Sequence, residues 1–202
     1  MEEVRKKILV KAIQLYAHYG IKSLTMDDIA REMGISKKTL YQYVKDKEDL
    51  VNQAFRYHLN QEEQNCHTVF NGIKNPIEEM LAICIWQSEN VGKINPAAFY
   101  DLKKYHPNSF HEFSQFKKRI ILPMIISNLK RGMELEIYRN DLNVEAIAQI
   151  YLHLIDISSQ PDITGFTSIA SIIHEVITYH LHSITSLKGR KLLTKELEKL
   201  HI

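Results

Sequence analysis

Glycine and proline are scarce in this chain, which has 7 glycines and 5 prolines in 202 residues. Because both residues interrupt regular structure, their scarcity beside long periodic apolar segments favours an all-α fold. No apolar run approaches the ~20 residues that a membrane-spanning helix needs. The composition, 45% hydrophobic and 25% charged, is typical of a globular protein with one large domain or two small ones.

Cysteine is also rare, since the chain has only Cys66 and Cys84 and these do not form a Cys-x-x-Cys pair. We therefore predict no structural disulfide and a reduced, cytoplasmic protein. The first ten residues, MEEVRKKILV, lack the apolar segment of a signal peptide, which favours the same location.

Signatures of catalysis and metal binding are missing as well. Ten histidines are present, but none are spaced as in H-x-x-x-H or H-E-x-x-H, and there is no Gly-rich phosphate loop. The neighbouring carboxylates Glu62–Glu63 and Glu78–Glu79 suit a solvated surface better than acid–base catalysis. We predict that the protein is not an enzyme and has no cofactor and no metal. A metal or haem sensor on the same fold stays an alternative.

Capping residues divide the chain into nine to ten predicted helices, with no convincing strand. Each helix start has a side chain that can accept from the first turn, and glycines suit the helix ends. A proline inside a long apolar run predicts a kink. The predicted starts are Thr25 with Asp28, Ser36, Asp46 with Asp49, Asn75, Asn95, and Ser109 with Glu112. The predicted ends are Gly20, Gly34 and Gly132, and the predicted kink is at Pro123. Two late helices are predicted at about 144–158 and 166–186, separated by QPDITGF, and a terminal helix is predicted after Lys188.

Residues 25–45 show the spacing of a helix-turn-helix. Ala30 is small where a second helix must cross closely, and Gly34 follows four residues later, where a tight turn is needed. Ile35 and Leu40 then supply apolar anchors for the next helix. This spacing is typical of two crossing helices, the second of which can enter a DNA groove.

The helix after this turn has a polar side suited to nucleic acid. Leu40 and Val44 face the core, so Lys38, Gln42 and Lys45 lie on the opposite side. Cations and hydrogen-bonding groups are what phosphate anchoring and base reading require. Residues 1–60 hold 11 Lys and Arg against 8 Asp and Glu, and the remainder 15 against 16. Charge alone leaves a merely solvated surface equally open.

The segment TMDDIAREMGISKKTLYQYVKDKEDLV, preceded by VRKKILVKAIQLYAHYGIKSL, closely resembles the N-terminal domain of TetR-type transcriptional regulators. The resemblance covers roughly residues 4–51, and TLYQYVKDKEDL matches the family pattern T-L-Y-x-Y/H-F-x-x-K-E-x-L. Val44 and Tyr16 depart from the usual phenylalanines but remain apolar enough for the core. The resemblance implies a helix-turn-helix DNA-binding domain at 1–48 and a helical ligand-sensing and dimerisation domain at 49–202.

Family membership implies a homodimer on palindromic operator DNA, acting by default as a repressor. An activator on the same fold and a helical protein–protein adaptor are the alternatives. Carried over by position, the expected roles are a phosphate contact for Thr25, major-groove positions for Ser36, Lys37, Lys38, Thr39 and Gln42, and backbone contacts for Tyr41, Tyr43 and Lys47. The expected base readers are Lys37, Lys38 and Gln42.

The resemblance further implies a small-molecule effector of unidentified chemistry and a dimer seam in the later helices. For most of these residues, packing in the core of a single chain is the competing interpretation. The predicted effector residues are Trp86, Gln87, Phe99 and Tyr100, and the predicted dimer residues are Val144, Ile147, Tyr151, Ile155, Ile169, Ile173, Val176 and His180.

Overall fold

A computed structural model describes residues 2–70, 72–90, 94–158 and 169–199. Within them the chain is helical almost throughout, which confirms the predicted all-α class, and a single isolated β-bridge joins Tyr138 to Thr185. None of the described helices is long and apolar enough to cross a bilayer. The helices are α1 (Glu2–Tyr19), α2 (Met26–Glu32), α3 (Lys37–Leu40), α4 (Lys47–Phe70), α5 (Pro76–Asn90), α6 (Pro96–Tyr105), α7 (Pro107–Phe116), α8 (Leu122–Glu134), α9 (Val144–Ser158), α10 (Ile169–Ile184) and α11 (Leu187–Lys199).

The chain forms two compact units. The first unit comprises Met1–Cys66 and Lys93–Phe116, and the second comprises His67–Gly92 and Lys117–Ile202. Packing in the first unit joins α4 and α6 to the N-terminal helices, since Leu50 and Leu102 lie in the same buried cluster as Leu40. The functional division predicted at residue 48 stays a prediction, because packing does not test it.

The predicted helix starts at Asn75 and Asn95 are confirmed, because both amide side chains accept from the first turn of the helix that follows. The start predicted at Ser109 is wrong. The helix begins at Pro107, and Ser109 is fully buried inside it, donating to the Asn52 side chain over 2.5 Å. An S-x-x-E pattern can therefore also occur inside a helix, when a buried acceptor satisfies the hydroxyl.

Helices α7 and α8 are joined by a π-helical turn, Lys117–Ile121, directly before Pro123. Proline has no N–H to donate and its ring crowds the carbonyl four residues earlier, here that of Arg119. The wider π turn lies at this position and lets the helix pass the proline. The irregularity predicted at Pro123 is thus present as a π turn.

The helix end predicted at Gly132 is also wrong, because α8 continues to Glu134. Gly132 is required there for close packing: a Cβ on it would lie 1.9 Å from the ring of Tyr138. The Tyr138 hydroxyl donates to the buried Asn128 side chain over 3.0 Å, and Asn128 donates to Glu79 over 2.9 Å. This hydrogen-bonded group connects α8 to α5 within the core of the second unit.

Candidate nucleic-acid interface

The first unit holds α2 and α3 against a continuous apolar core. Leu40 and Ile29 are completely buried, and Val44 is 3% exposed. They pack with residues of α1 and with Leu50 at the start of α4. Since each of these side chains comes from a different element, burial fixes the orientation of α3 about its own axis.

The turn between α2 and α3 is made by Gly34, whose φ is +65°. Its N–H donates to the Arg31 carbonyl over 3.0 Å, and the N–H of Ile35 donates to the Ala30 carbonyl over 3.0 Å. This pair of bonds is a Schellman motif, which needs a left-handed residue and therefore favours glycine. The sequence prediction of a tight turn at Gly34 is confirmed.

Helix α2 begins with the predicted capping box of Thr25 and Asp28. The Asp28 N–H donates to the Thr25 hydroxyl oxygen over 3.2 Å, and the Thr25 N–H and O–H donate to the Asp28 carboxylate over 3.0 and 2.6 Å. Hydrogen bonds from Thr25, and then Arg31, lower the pKa of Asp28 to about 2. Phosphate only accepts, so the Thr25 hydroxyl must exchange partners before it can donate to DNA.

Helix α3 is shorter than the sequence predicted. It spans Lys37–Leu40 instead of reaching Val44, and the chain continues in turns in which Gln42 and Tyr43 donate to carbonyls three residues back. The predicted cap is confirmed, because the Ser36 hydroxyl accepts from the Thr39 N–H over 3.0 Å. The Ser36 hydroxyl also lies 2.7 Å from the Thr39 hydroxyl, so both hydroxyls are held in the cap.

Lys38 and Gln42 are exposed on the side of this segment opposite Leu40. Neither side chain has a hydrogen-bond or ion-pair partner among the residues that the structure describes. Tyr41 is 42% exposed, so it projects from the core instead of filling it. These three side chains are available to a partner without breaking an internal contact.

Lys37 is exposed, but its side chain already forms an ion pair. Its ammonium group lies 2.8 Å from the Asp27 carboxylate, and both side chains are at least half exposed. The hydrogen bond and the charge of Asp27 raise the pKa of Lys37. Exposed ion pairs contribute little to stability, so Lys37 can exchange Asp27 for a DNA group at small cost.

Tyr43 and Lys47 are half-buried. Tyr43 packs against the core of the first unit. The Lys47 ammonium group lies 3.5 Å from the Lys22 carbonyl, in the turn between α1 and α2. Burial lowers the pKa of Lys47, opposed by the nearby charge of Asp101. The predicted cap before Lys47 is confirmed, since Asp46 accepts from the Asp49 N–H over 2.8 Å.

Sequence reasoning missed Asp27, Lys22 and Asp101 as neighbours of this surface. The Asp101 carboxylate accepts from the Lys22 N–H over 2.7 Å and is 6% exposed. No sequence signal could have found this contact, because 79 residues separate the two groups. Asp27 could have been found, since it lies in the first turn of α2, near the start of α3.

The family model of bacterial regulatory proteins of the tetR family matches residues 8–54. That range contains α2, α3 and the Gly34 turn. The N-terminal segment of the chain, residues 8–54, is therefore similar to the tetR family of bacterial regulatory proteins.

The similarity to known regulators extends beyond the N-terminal segment. YvaF of Bacillus subtilis, an uncharacterized HTH-type transcriptional regulator, is 27% identical over 153 residues, which is 72% of this chain and 80% of that protein. YerO of the same species, also an uncharacterized HTH-type transcriptional regulator, is 26% identical over 94% of this chain but only 58% of its own length. Both relatives are named as HTH-type transcriptional regulators.

The fold is shared with a solved structure. A transcriptional regulator from Saccharomonospora viridis in complex with choline superposes with a TM-score of 0.78, at 19% identity, over 92% of this chain and 100% of that one. At this identity the likeness concerns the fold.

The four predicted effector residues divide between the two units. Trp86 and Gln87 lie half-buried in α5 of the second unit, and Phe99 and Tyr100 lie in α6 of the first. Phe99 packs edge-on against Phe110, with ring centres 6.1 Å apart, whereas Tyr100 is 45% exposed. Their role with an effector stays a prediction.

A groove of about 570 Å³ lies in the second unit, where the α8–α9 connection meets the start of α11. None of the four predicted effector residues lines it. Its walls are formed by Met133, Glu136, Tyr138, Arg139, Asn140, Asp141, Thr185, Ser186, Leu187 and Arg190.

Four of the predicted dimer residues are buried within their own unit: Val144, Tyr151, Ile173 and His180. Tyr151 stacks on His180 with ring centres 4.1 Å apart. The role of these four residues in a dimer stays a prediction. Burial lowers the pKa of His180 to about 4, so its ring is neutral at neutral pH. The helical period identified apolar faces but could not distinguish a core face from an interface.

The other predicted dimer residues are less buried. The side chains that pack against the core but remain partly exposed are Ile147, Ile155 and Val176, and the side chain of Ile169 lies outside those that the structure describes. The most exposed large apolar residues of α9 and α10 are instead Ile150, at 56%, and Tyr179, at 70%.

Neither cysteine is suited to reactive chemistry. Both thiols are free and buried, and burial raises the pKa of Cys66 to about 11 and also that of Cys84. A raised pKa disfavours the reactive thiolate. In the described part of the chain, no three His, Cys, Asp or Glu side chains are grouped to hold a metal ion.

Replacing Gly34 with alanine should lower the free energy of unfolding by about 1 to 2 kcal/mol, the cost of a left-handed residue with a Cβ. No atom lies within 4 Å of the added Cβ, so backbone strain alone should produce the effect. Urea unfolding followed by circular dichroism measures it.

The matched control is Gly34→Asn, because asparagine tolerates the left-handed conformation better than alanine does. The expected order of stability is Gly, Asn, Ala. An alanine variant as stable as the parent would contradict the role given to this turn.

Proposed function

We propose that this chain is a homodimeric, cytoplasmic transcriptional regulator that binds palindromic operator DNA through α2 and α3. Occupation of the operator represses transcription, and a small-molecule effector bound by the C-terminal domain, residues 49–202, modulates it. The observation that carries the proposal is the surface opposite Leu40, where Lys38 and Gln42 are exposed and without partners among the described residues. Such groups can exchange water for base edges without breaking internal bonds.

Base reading is assigned to Lys37, Lys38 and Gln42. A glutamine amide can pair with both N6 and N7 of adenine, and a lysine can donate to O6 and N7 of guanine. Each good contact of this kind is worth about 1 to 3 kcal/mol of discrimination. Ser36 and Thr39, whose hydroxyls are held in the α3 cap, position these readers at the groove.

Backbone anchoring is assigned to Thr25, Tyr41, Tyr43 and Lys47. The phenol of Tyr41 is 42% exposed and can donate to a phosphate. Lys47 follows the α3 segment directly and has no carboxylate within ion-pair distance among the described residues. Phosphate contacts of this kind add affinity without sequence information.

The dimer is supported by α9 and α10, which are apolar in sequence and present Ile150 and Tyr179 to solvent. Ala146, in the first turn of α9, is also exposed. A small residue at this position permits close approach of another helix. A two-fold interface repeats both residues on each subunit. It also places two copies of α3 on related half-sites, which accounts for a palindromic operator.

The effector is supported by the fold. The structural neighbour from Saccharomonospora viridis is a complex with choline; for this chain we propose a small molecule without specifying its chemistry. An effector alters DNA binding only if it prefers one arrangement of the two α3 segments over the other. Trp86, Gln87, Phe99 and Tyr100 remain the residues proposed to bind it.

Replacing Gln42 with alanine should change which base is preferred at one position of each half-site, because a base-edge contact is lost. Replacing Lys47 with alanine should instead weaken binding to all sequences alike and reduce the salt slope by about one unit per subunit, hence about two for the dimer. Fluorescence anisotropy with a panel of single-base operator variants, at several salt concentrations, separates the two effects.

Tyr43→Phe is the suitable test at Tyr43, because its ring packs on the core and only its hydroxyl should be removed. It is expected to weaken binding to all sequences alike, without the change in salt slope expected for the Lys47 variant, because the hydroxyl carries no charge. A uniform loss for Gln42→Ala, or a changed base preference for Lys47→Ala, would overturn these assignments.

Replacing Tyr179 with aspartate should separate the dimer, because it buries a charge in the proposed seam. Light scattering should then report one chain where the parent shows two, and affinity for the palindrome should fall. Leu187→Asp is the control, since Leu187 is 84% exposed but lies on α11. An unchanged dimer in the Tyr179 variant would show that the seam lies elsewhere.

A further inference from the structure

Helix α6 and the turn before α2 carry an exposed group of lysines and tyrosines outside the helix-turn-helix. This α6 patch consists of Lys22, Tyr100, Lys104 and Tyr105. Tyr100 is 45% exposed and Tyr105 is 40% exposed, and both lysines are exposed. All four residues belong to the first unit, which also contains α2 and α3.

The four side chains contact one another. The Lys104 ammonium group donates to the Tyr100 hydroxyl over 2.8 Å and lies 5.1 Å from the centre of the Tyr100 ring and 5.4 Å from that of Tyr105. From the other side, the Lys22 ammonium group lies 5.0 Å from the centre of the Tyr105 ring. The hydrogen bond from the Lys22 ammonium group to the Tyr105 hydroxyl, together with the charge of Lys104, lowers the pKa of Tyr105.

Two ammonium groups therefore share one aromatic ring, and neither has a carboxylate within ion-pair distance among the described residues. The nearest identified carboxylate, Asp101, is buried and accepts from the Lys22 backbone N–H. Both ammonium groups therefore attract an anion that approaches the patch. Cation–π contact stabilises each ammonium group but does not neutralise it.

The patch is held in place by backbone contacts. The Lys22 N–H donates to Asp101 of α6 over 2.7 Å, and the Asn95 N–H donates to the Ala17 carbonyl of α1 over 2.7 Å. These bonds fix the start and the middle of α6 against the end of α1. The lysines are therefore presented from an ordered surface, which lowers the entropy lost when they bind.

The patch is continuous with a residue already assigned to the DNA backbone. The Lys47 ammonium group lies 3.5 Å from the Lys22 carbonyl, and the Lys22 ammonium group lies 3.4 Å from the Tyr105 hydroxyl. Positive charge thus extends from the start of α4, through the α1–α2 turn, to the end of α6. A track of this kind follows a polyanion and not an isolated small ion.

We propose that the α6 patch binds backbone phosphates of the operator duplex that flank the bases read by α3. Lys22 and Lys104 supply the charge, and the hydroxyls of Tyr100 and Tyr105 supply further donors. The patch adds affinity without adding base preference, because it contacts no base edge. This inference rests on the proposed function, since it requires that the chain bind DNA.

The experiment compares salt dependence on two duplexes. One contains only the half-sites recovered for the parent protein, and the other extends them by one helical turn on each side. Variants Lys22→Gln and Lys104→Gln, and the double variant, are measured at several salt concentrations. Lys191→Gln is the control for charge, because Lys191 is exposed on α11.

On the extended duplex, each patch variant should reduce the slope of log affinity against log salt by about 0.9 per subunit, hence about 1.8 for the dimer, and the double variant by about twice that. On the short duplex the slopes should match the parent. Base preference should stay unchanged throughout, and the control should match the parent on both duplexes.

Equal slopes for the parent and the double variant on the extended duplex would overturn the inference while leaving the proposed function intact. An equal loss on both duplexes would also overturn it, because the patch would then not reach flanking DNA. A parent protein that binds neither duplex would contradict both the proposed function and this inference. Thermal unfolding of each variant shows whether a loss comes from misfolding.

Discussion

The left-handed turn at Gly34 is the constraint on which the proposed DNA surface depends. It lets the chain leave α2 through two specific backbone hydrogen bonds and start α3 two residues later. Burial of Leu40, which is 0% exposed, then sets the rotation of α3. Lys38 lies two residues before Leu40, about 200° around α3, and therefore faces away from the core. Gln42 lies in the turns after α3 and is exposed as well. The Gly34 turn and the buried Leu40 side chain together expose Lys38 and Gln42, which are proposed to read bases.

Local signals explain why much of this surface could be predicted from the sequence. The caps at Thr25, Ser36 and Asp46 involve partners three residues away, so spacing alone reveals them. Ser109 has the same spacing but is buried, and its partner Asn52 lies 57 residues away. A cap motif therefore predicts a helix start only where the side chain is not required in the core. The length of α3 was likewise overestimated, because apolar spacing does not separate a helix from successive turns.

The features that could not be predicted from the sequence depend on contacts between segments that are distant along the chain. The apolar faces of α9 and α10 were recognised from their period, but Tyr151 and His180 stack inside the unit while Tyr179 is 70% exposed. Which face is buried depends on the packing of α10 against α5 and α9, and of α9 against α8. The same holds for charge, since Lys37 pairs with Asp27 and Lys22 is positioned by Asp101. The exposed Lys37–Asp27 pair costs little to exchange, which leaves Lys37 free to bind an anionic partner.

Selection of bound duplexes from a random DNA library, repeated at two salt concentrations, tests the central claim most directly. The account predicts recovery of a palindromic motif that persists at the higher salt, because base-edge contacts are less sensitive to salt than phosphate contacts. The two half-sites should be related by the two-fold axis of a dimer. Recovery of only a salt-sensitive background, with no motif, would contradict the account and favour a helical adaptor that binds protein.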